Sequence, residues 1–488
     1  MTITIITPTG DRHAAFNRCV QWVTTQTVPA TQWIIVDDGA VPLSTMYDFP
    51  QWVTYIRRER AADDPPHTLS ANLLAAIPYV RSDKIVIMED DDWYAPTYLE
   101  FMLPWLDRHD LVGPNLITYY HLLGRVWKTG KPKSHTALAQ TACTKRALPK
   151  LQEICSGRHW EVRERGIVDR HWWHSFDGSK HLIQEHPKLH IGFKGLFGRA
   201  GIAEGHDAGS WGYKPDTDFA FIRERIGDDL EFYKLWTIRP AKPWAIYTAI
   251  CNGYDTLREP LNDNPLFDFF VFSDTPQQSD RWFHVPFDEN LSTSVRTAKK
   301  PKILPHLYLP QYEWSIWVDA NIFVIGDLAS YVLRCIDADR RAGQFLHHER
   351  NNLWDEAKVC AGKSLDSKDV IAAQIARYRK DGFDGSNGLY EGNFIVRRHN
   401  DAAVIRTMHR WWREINTGSA RDQISHPYAR WKEPLDLHPL APKGVTVRKV
   451  PELFYSAHGQ IDIDSYTPKI SQHRSRFKAA PASEPAPA

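Results

Sequence analysis

Residues 85–92 read Ile-Val-Ile-Met-Glu-Asp-Asp-Asp, an apolar run followed directly by four carboxylates. The apolar run is typical of a buried β-strand, and the acids mark the turn after it. Two earlier apolar runs, 2–6 and 33–36, also end in polar or acidic turns, and helical patterns lie between the runs. This alternation predicts an α/β fold with a mostly parallel sheet, whose ligands bind beyond the carboxyl ends of the strands.

The same plan begins again in the second half of the chain. Residues 239–243, Arg-Pro-Ala-Lys-Pro, indicate a hinge. Apolar runs follow it at 244–250, 269–272 and 314–318. The last run closes in Asp319-Ala320-Asn321, at a distance from the opening strand similar to that in the first half. We therefore predict two domains of related architecture.

The predicted domain boundaries follow from this repeat and from composition. The first domain covers 1–238 and the second covers 239–467. The segment 468–488 ends in a Pro/Ala-rich sequence and is predicted to be disordered.

Composition narrows the class of protein. The 488 residues carry a net charge of +1, so the chain is not built around a polyanion-binding surface, although a local basic patch is compatible with it. The six cysteines form no CxxC pair, which indicates a reducing compartment. No apolar run reaches about 18 residues, and the first residues do not resemble a secretory signal. We expect a cytoplasmic protein without a transmembrane segment.

The acidic turn at 89–92 calls for positive charge. Four adjacent carboxylates repel one another, which raises their pKa values unless a cation lies among them. A divalent ion such as Mg²⁺ or Mn²⁺ meets this need, because it prefers hard oxygen ligands and also binds phosphate. The alternative is helix capping by Asp92 ahead of the helical pattern at 96–100, which requires only one acid.

Three motifs in order resemble the family-two glycosyltransferases, which have the GT-A nucleotide-sugar fold. They are TPTGDR at 7–12, IIVDDG at 34–39 and IMEDDDWYAPTYLE at 87–100. The resemblance covers roughly 1–236 and implies that the acidic turn is the metal-binding DxD motif. Both Glu89-x-Asp91 and Asp90-x-Asp92 match that motif, and the resemblance implies a metal site of Asp91, as the main ligand, with Asp92 and His206. His206 lies in a segment at 192–206 similar to some bacterial and phage members, and a solvated loop histidine is its competing role. The donor-binding residues it implies are Thr7, Pro8, Arg12, Asp37, Asp38 and Asp90.

The resemblance also implies a catalytic base after the DxD turn. Asp169, near the start of a helical pattern, fits that position, and a carboxylate there would accept the proton of the acceptor hydroxyl. An ion pair with Arg170 or Arg165 is the competing role. If Asp169 is the base, this domain inverts the anomeric configuration.

The second half resembles the glycosyltransferase-like domain called unknown function 616. The motifs lie at 245–255, 302–306, 317–321, 348–350, 390–393 and 421–423. The implied donor-binding residues are Lys302, Asp319, Asn321, Asp422 and Gln423, and the implied metal ligands are Asp319 and His458. Because an amide replaces the second acid of the DxD motif, the site is expected to bind metal weakly or to bind sugar hydroxyls instead. The competing roles are a solvated charge run at 296–302 and a helix cap at 422–423.

Two such domains predict a bifunctional enzyme. The expected reaction transfers sugars from a nucleotide-sugar donor, a UDP-sugar for preference, to a glycan acceptor with a divalent metal. One alternative is a phage-type enzyme that glycosylates hydroxymethylated DNA bases, with basic stretches at 128–133 and 296–302 holding the strand. Another is one catalytic domain joined to a non-catalytic sugar- or nucleotide-binding domain.

Overall fold

The structure, a computed structural model, describes residues 2–65, 67–157, 161–162, 166–184, 188–199, 206–209, 212–460 and 462–478. It divides into two compact units, Met1–Arg239 and Pro240–Ala488. The division falls at the hinge that the sequence indicates. Within the described residues, no helix has both the length and the apolar character that a membrane span needs.

The first unit alternates strands and helices. Its strands are β1 (Ile3–Thr9), β2 (Gln32–Asp37), β3 (Val53–Arg57), β4 (Lys84–Ile87), β5 (Trp93–Tyr94), β6 (Leu111–Pro114), β7 (Ile117–His121), β8 (Val126–Gly130), β9 (Ala142–Thr144), β10 (Lys180–Ile183), β11 (His190–Lys194) and β12 (Lys214–Pro215). Its helices are α1 (His13–Thr24), α2 (Leu69–Ala76), α3 (Tyr98–Met102), α4 (Leu148–Ser156), α5 (Val168–Ser175), α6 (Ala220–Ile226) and α7 (Leu230–Lys234).

The main sheet of the first unit has the strand order β10-β6-β9-β4-β1-β2-β3. The pairs β4–β1, β1–β2 and β2–β3 are parallel, and so is the pair β6–β10. Strand β9 is antiparallel to both of its neighbours, β4 and β6. A second sheet has the order β12-β8-β7-β11-β5. The predicted mostly parallel α/β architecture is confirmed.

Strand register gathers the polar turns at one edge. Thr9 of β1 pairs with Asp37 of β2, and Ile6 of β1 pairs with Ile87 of β4. The end of β1, the Asp37-Asp38 turn and the acidic turn after β4 are therefore neighbours. Burial stabilises this arrangement, because the apolar side chains of the strands pack against apolar side chains of α2, α4 and α5. One of these helix side chains, Trp172 of α5, is fully buried.

The second unit has its own sheet. Its strands are β13 (Trp244–Ile250), β14 (Phe267–Ser273), β15 (Trp282–Val285), β16 (Trp314–Val318), β17 (Ile322–Val324), β18 (Ala342–Leu346), β19 (Tyr390–Arg397), β20 (Leu437–Pro439) and β21 (Leu453–Tyr455). Its helices are α8 (Ser294–Ile303), α9 (Ala329–Asp337), α10 (Leu353–Gly362), α11 (Lys368–Lys380), α12 (Ala402–Thr417), α13 (Asp422–Lys432) and α14 (Thr467–Lys478).

The second unit repeats the topology of the first. Its main sheet has the order β15-β14-β13-β16-β19-β18-β20. Here β19 is antiparallel to β16 and β18, and the other pairs are parallel, so β13, β16 and β19 correspond to β1, β4 and β9. The acidic turn after β4 and the Asp319 turn after β16 occupy equivalent places.

The chain beyond residue 467 differs from the expectation of disorder. The helix α14 covers Thr467–Lys478, where Ile470 is buried in a small apolar cluster with Phe323 and Ile325. His473 Nε2 lies 2.9 Å from the carbonyl oxygen of Val450. These contacts supply the burial that composition alone does not reveal. Residues 479–488 lie outside the described residues.

Candidate active sites

Asp90 of the acidic turn faces the end of β1. The Thr9 hydroxyl donates a 2.6 Å hydrogen bond to Asp90 Oδ2, and Arg12 Nη2 lies 3.3 Å from Oδ1. Burial raises the pKa of Asp90 to about 7, although Arg12 opposes the shift. The sequence-predicted donor residues Arg12 and Asp90 therefore form one buried pair.

Asp91 is kept ionised by the cations beside it. Burial tends to raise the pKa of Asp91, but the cationic Arg12 and Lys194 lower it below its usual range. Arg12 donates to Asp91 Oδ2, whereas Asp91 Oδ1 is buried and has no hydrogen-bond partner among the described residues. Asp91 thus presents one anionic oxygen that no described residue hydrogen-bonds.

Asp92 is held by β11. Phe193 N donates a 3.1 Å hydrogen bond to Asp92 Oδ1, and His190 Nε2 lies 2.9 Å from Oδ2. Asp92 does not cap the helix that follows, because the residue before α3 is Thr97, which makes no side-chain capping bond. The capping alternative for Asp92 is wrong.

The turn can hold a metal ion. Glu89, Asp91 and Asp92 each offer a carboxylate oxygen, and these atoms lie within 4.8 Å of one another. With the unsatisfied Asp91 Oδ1, this hard-oxygen set fits Mg²⁺ or Mn²⁺. The pKa of His206 is lowered to about 4 by burial and by Lys194, with Asp91 opposing, which leaves a neutral imidazole beside the turn.

Lys194 is the residue of this site that the sequence did not reveal. It is buried, and its ammonium lies 5.0 Å from the centre of the Tyr119 ring. Burial lowers the pKa of Lys194, but Asp92, Asp91 and Glu89 together raise it above its usual value. The acids therefore tolerate one another through Arg12 and Lys194 as well as through any bound cation.

Asp37, one of the predicted donor-binding residues, makes hydrogen bonds within the protein. Asp37 accepts hydrogen bonds from the backbone N–H groups of Gly39 and Leu43 and from the Tyr55 hydroxyl. Of the other predicted donor residues here, Thr7 accepts a 2.9 Å bond from the Trp33 indole, and Pro8 is buried in β1.

Asp38 links the start of the chain to its 192–206 segment. The Arg199 guanidinium lies 2.6 Å from Asp38 and 2.8 Å from Asp11. Burial tends to raise the pKa of Asp38, but bonds from Thr68 and Arg199 lower it. Arg199 is therefore a second cation that sequence reasoning did not identify, and residues 200–205 of that segment lie outside the described residues.

Asp169 lies in the first turn of α5. Burial raises its pKa, and its Oδ1 accepts a 2.7 Å bond from the backbone N–H of Arg170. No ion pair with the Arg170 guanidinium occurs among the described residues, and Arg165 lies outside them. The pKa of Tyr119 is raised by burial and then by Asp169, Asp92 and Glu89, so the candidate base shares an electrostatic neighbour with the acidic turn.

The second unit contains a cleft of about 690 Å³ at the carboxyl end of β16. The predicted site residues of this half all line it: Lys302, Asp319, Asn321, Asp422, Gln423 and His458. The sequence thus identified residues that are far apart in the chain and adjacent in the fold.

A buried ion-pair network forms one side of this cleft. Lys302 Nζ lies 2.7 Å from Asp422 Oδ2 and 3.1 Å from Asp319 Oδ1, and Lys299 donates to Asp422 Oδ1. Burial tends to raise the pKa of Asp422, but Lys299 and Lys302 hold it well below its usual range. Asp422 therefore anchors two ammonium groups, and the solvated-charge and helix-capping alternatives are wrong for these residues.

The rest of the basic stretch 296–302 points elsewhere. Arg296 donates to the carbonyl oxygens of Ile415 and Gly418, and Lys300 pairs with Glu289. Only part of the predicted basic run is therefore committed to the Asp422 network.

The predicted metal ligands of the second unit make other contacts. Asp319 Oδ1 accepts a 2.7 Å bond from the Trp317 indole and also contacts Lys302. His458 Nδ1 lies 3.1 Å from Asp255, whose hydrogen bond raises the pKa of His458. In the described part of the chain, a group of three potential metal-ligating side chains occurs at the acidic turn of the first unit and not here.

Comparison with known proteins assigns both halves. Residues 4–160 match the family model described as Glycosyl transferase family 2, and residues 281–439 match the model described as TOD1/MUCI70, glycosyltransferase-like domain. Both resemblances that the sequence indicates are confirmed.

Individual relatives are distant. The probable hexosyltransferase MUCI70 of Arabidopsis thaliana is 21% identical over 236 residues, which are 42% of this chain and 40% of the relative. This chain therefore spans less than half of that protein's length.

Solved structures with some similarity include two of S. aureus TarS. The first is 13% identical with a TM-score of 0.31 and covers 40% of this chain and 37% of TarS. TarS 1-349 in complex with UDP-GlcNAc is 14% identical with a TM-score of 0.31, over 40% of this chain and 58% of that one. The two family matches therefore identify a glycosyl transferase family 2 domain in residues 4–160 and a TOD1/MUCI70 glycosyltransferase-like domain in residues 281–439.

Proposed function

We propose that this protein is a bifunctional glycosyltransferase that transfers sugars from nucleoside-diphosphate donors to a glycan acceptor. The observation that carries the proposal is the cluster of Glu89, Asp91 and Asp92 oxygens at the carboxyl edge of the parallel sheet. A UDP-hexose is the donor we favour, in line with the name of the MUCI70 relative. The equivalent placement of the Asp319 turn supports a second donor site.

In the first unit, Asp91 and Asp92, with Glu89 and His206 beside them, would hold the metal. A divalent cation there would offset the charge that develops on the departing diphosphate. Arg12 and Lys194 contribute fixed positive charge at the same edge.

Asp169 would take the proton of the acceptor hydroxyl. The acceptor oxygen then forms a bond to the anomeric carbon, and the bond from that carbon to the diphosphate oxygen breaks. Because burial raises the pKa of Asp169, the carboxylate is a stronger base than an exposed aspartate. A single displacement of this kind inverts the anomeric configuration.

In the second unit, Lys299 and Lys302 would meet the diphosphate. Both ammonium groups are buried and fixed by Asp422, so they are oriented before a donor arrives. Gln423, Asp319 and Asn321 lie in the same cleft and would contact the donor sugar.

A donor-hydrolysis panel tests the proposal. The full chain is incubated with UDP-, GDP- and TDP-sugars in the presence of Mn²⁺ or EDTA, and release of the nucleoside diphosphate is measured. We expect one nucleotide class to be hydrolysed with Mn²⁺ and the part due to the first unit to be lost with EDTA. If no donor is hydrolysed and none binds, the proposed function is wrong.

A further inference from the structure

Three side-chain oxygens in the second cleft have no hydrogen-bond partner among the described residues. They are Asn321 Oδ1, Glu391 Oε2 and Asn393 Oδ1. We call this set the acceptor wall because its oxygens accept hydrogen bonds; the name does not refer to the acceptor substrate. Asn321 is 1% exposed and Glu391 is 4% exposed, so these oxygens are withdrawn from bulk water, and the three residues that carry them line the cleft. A buried oxygen without a partner costs free energy, which a ligand that donates hydrogen bonds recovers.

The fold holds the acceptor wall in a fixed geometry. Glu391 and Asn393 lie in the first residues of β19, where the carbonyl oxygen of Asn393 accepts a 2.9 Å bond from Asp319 N. The other carboxylate oxygen of Glu391 lies 3.3 Å from His348 Nδ1, and Gln344 donates to the Glu391 carbonyl. Glu391 Oε2 is therefore the carboxylate oxygen without a well-formed hydrogen bond among the described residues, and the Asn393 side chain lies close to this carboxylate.

The acceptor wall adjoins the buried lysines through Gly392. A Cβ atom built on Gly392 would lie 2.8 Å from Asp422 Oδ2, so the missing side chain allows Asp422 to pack against β19. The cleft thus contains two neighbouring sets of groups of opposite character. Lys299 and Lys302 offer positive charge, whereas the acceptor wall offers oxygens that repel a phosphate and attract O–H groups.

We propose that Asn321, Glu391 and Asn393 form a subsite for the hydroxyl groups of a sugar ring, with Glu391 as its main specificity determinant. The inference rests on the proposed function of the second unit, because the sugar would be attached to a diphosphate held by Lys299 and Lys302. A single carboxylate among two amides, with His348 on its other oxygen, suits hydroxyl donors better than a metal ion.

Calorimetry with UDP and UDP-hexoses tests the subsite. The parent is the full chain carrying Asp91→Asn, which removes the main metal ligand of the first unit, with Mn²⁺ held constant. In this parent, Glu391→Gln should weaken binding of UDP-glucose or UDP-galactose by roughly tenfold or more and leave UDP binding within about twofold. Lys302→Met should weaken UDP and UDP-hexose binding alike, and Asn393→Ala should repeat the selective loss.

Three outcomes overturn the subsite. One is an equal effect of Glu391→Gln on UDP and UDP-hexose, and another is no effect on either with melting temperature unchanged. The third is stabilisation of the parent by Mn²⁺ or Ca²⁺ alone that Glu391→Gln abolishes, which would make the acceptor wall a cation site.

Failure of the proposed function gives a different result. If the parent binds neither UDP nor a UDP-hexose, donor use by this cleft is wrong, and the acceptor wall is tested with free methyl hexosides by saturation-transfer NMR. A hexoside signal that Glu391→Gln removes supports the subsite, and absence of any hexoside signal contradicts it.

Discussion

Asp169 and Asp91 are both acids of the first unit, but their surroundings shift their pKa values in opposite directions, in keeping with the different roles that we propose for them. Asp91 is kept ionised by Arg12 and Lys194, whereas burial raises the pKa of Asp169. An ionised acid suits a cation, and an acid with a raised pKa suits proton transfer.

Replacing Asp169 by Asn should therefore lower kcat without a matching rise in KM for the donor. We expect a loss of at least about 100-fold in the Mn²⁺-dependent reaction, because the amide accepts no proton. The wild-type rate should fall on acidification at a pH above the usual Asp pKa of about 3.9. Steady-state kinetics across pH 4–8 measure the loss of kcat in the variant and the pH dependence of the wild-type rate. An unchanged kcat in Asp169→Asn would exclude Asp169 as the base.

The acidic residues of the first site are easier to recognise in the sequence than the basic residues that balance their charge. A run of carboxylates after an apolar strand is visible in any sequence. Lys194 and Arg199 are single basic residues about 100 to 190 positions away from their acidic partners, and only the fold brings them there. Glu391 was part of a recognised motif, but its unsatisfied oxygen depends on the packing around it.

Among the secondary-structure elements, β19 and α13 meet beside the buried ion pairs of the second cleft. Gly392 on β19 allows Asp422, the first residue of α13, to reach Lys299 and Lys302. The sequence indicated these two places only through the motifs at 390–393 and 421–423 that resemble the glycosyltransferase-like domain. It did not predict this close approach, which depends on the missing side chain of one glycine.

Gly392→Ala should displace Asp422, because the new Cβ would lie 2.8 Å from Asp422 Oδ2 and 3.1 Å from its Cβ. We expect a loss of about 1–3 kcal/mol in the free energy of unfolding and weaker UDP binding by the second unit. Gly362→Ala is the matched control, since nothing lies within 4 Å of a Cβ atom built at that position. Chemical denaturation and calorimetry compare them, and equal behaviour of the two variants would contradict the packing argument.

Asp422→Asn should destabilise the second unit by about 3–5 kcal/mol, because two buried ammonium groups lose their anionic partner. The folded-state pKa of Asp422 lies below the unfolded value of about 3.9, so its contribution is complete above that pH. The stability difference from wild type should stay constant from pH 5 to 8. This difference should shrink as the pH falls below 4 towards the folded-state pKa of Asp422. Denaturation curves at pH 6 that show no difference in the free energy of unfolding between wild type and Asp422→Asn would refute the ion-pair network.

At the scale of the whole molecule, the main sheets of the two units have the same strand order. Both main sheets place an antiparallel strand, β9 or β19, beside the strand that precedes the acidic turn. The sequence predicted the repeat because apolar runs and acidic turns recur at similar spacing. The antiparallel strands were not predicted, since Ala142–Thr144 is short and carries no strand signal of its own.

Two units with separate sites predict separable activities. Asp91→Asn should abolish the Mn²⁺-dependent reaction of the first unit and leave nucleotide binding by the second unit intact. Lys302→Met should have the opposite effect, because its ammonium belongs to the Asp422 network. Product analysis of both variants distinguishes the cases, and loss of all activity in each single variant would argue against two independent sites.

Binding of Mn²⁺ to the acidic turn is the most direct test of the account. Calorimetric titration of Mn²⁺ into the full chain with UDP present should show a site that Asp91→Asn weakens at least about 100-fold, since Asp91 Oδ1 is a buried oxygen of an ionised carboxylate that no described residue hydrogen-bonds. Asp83→Asn removes an exposed carboxylate just before β4 and should leave this binding unchanged. Equal Mn²⁺ affinity of wild type and Asp91→Asn would contradict a metal–diphosphate site at this edge of the sheet.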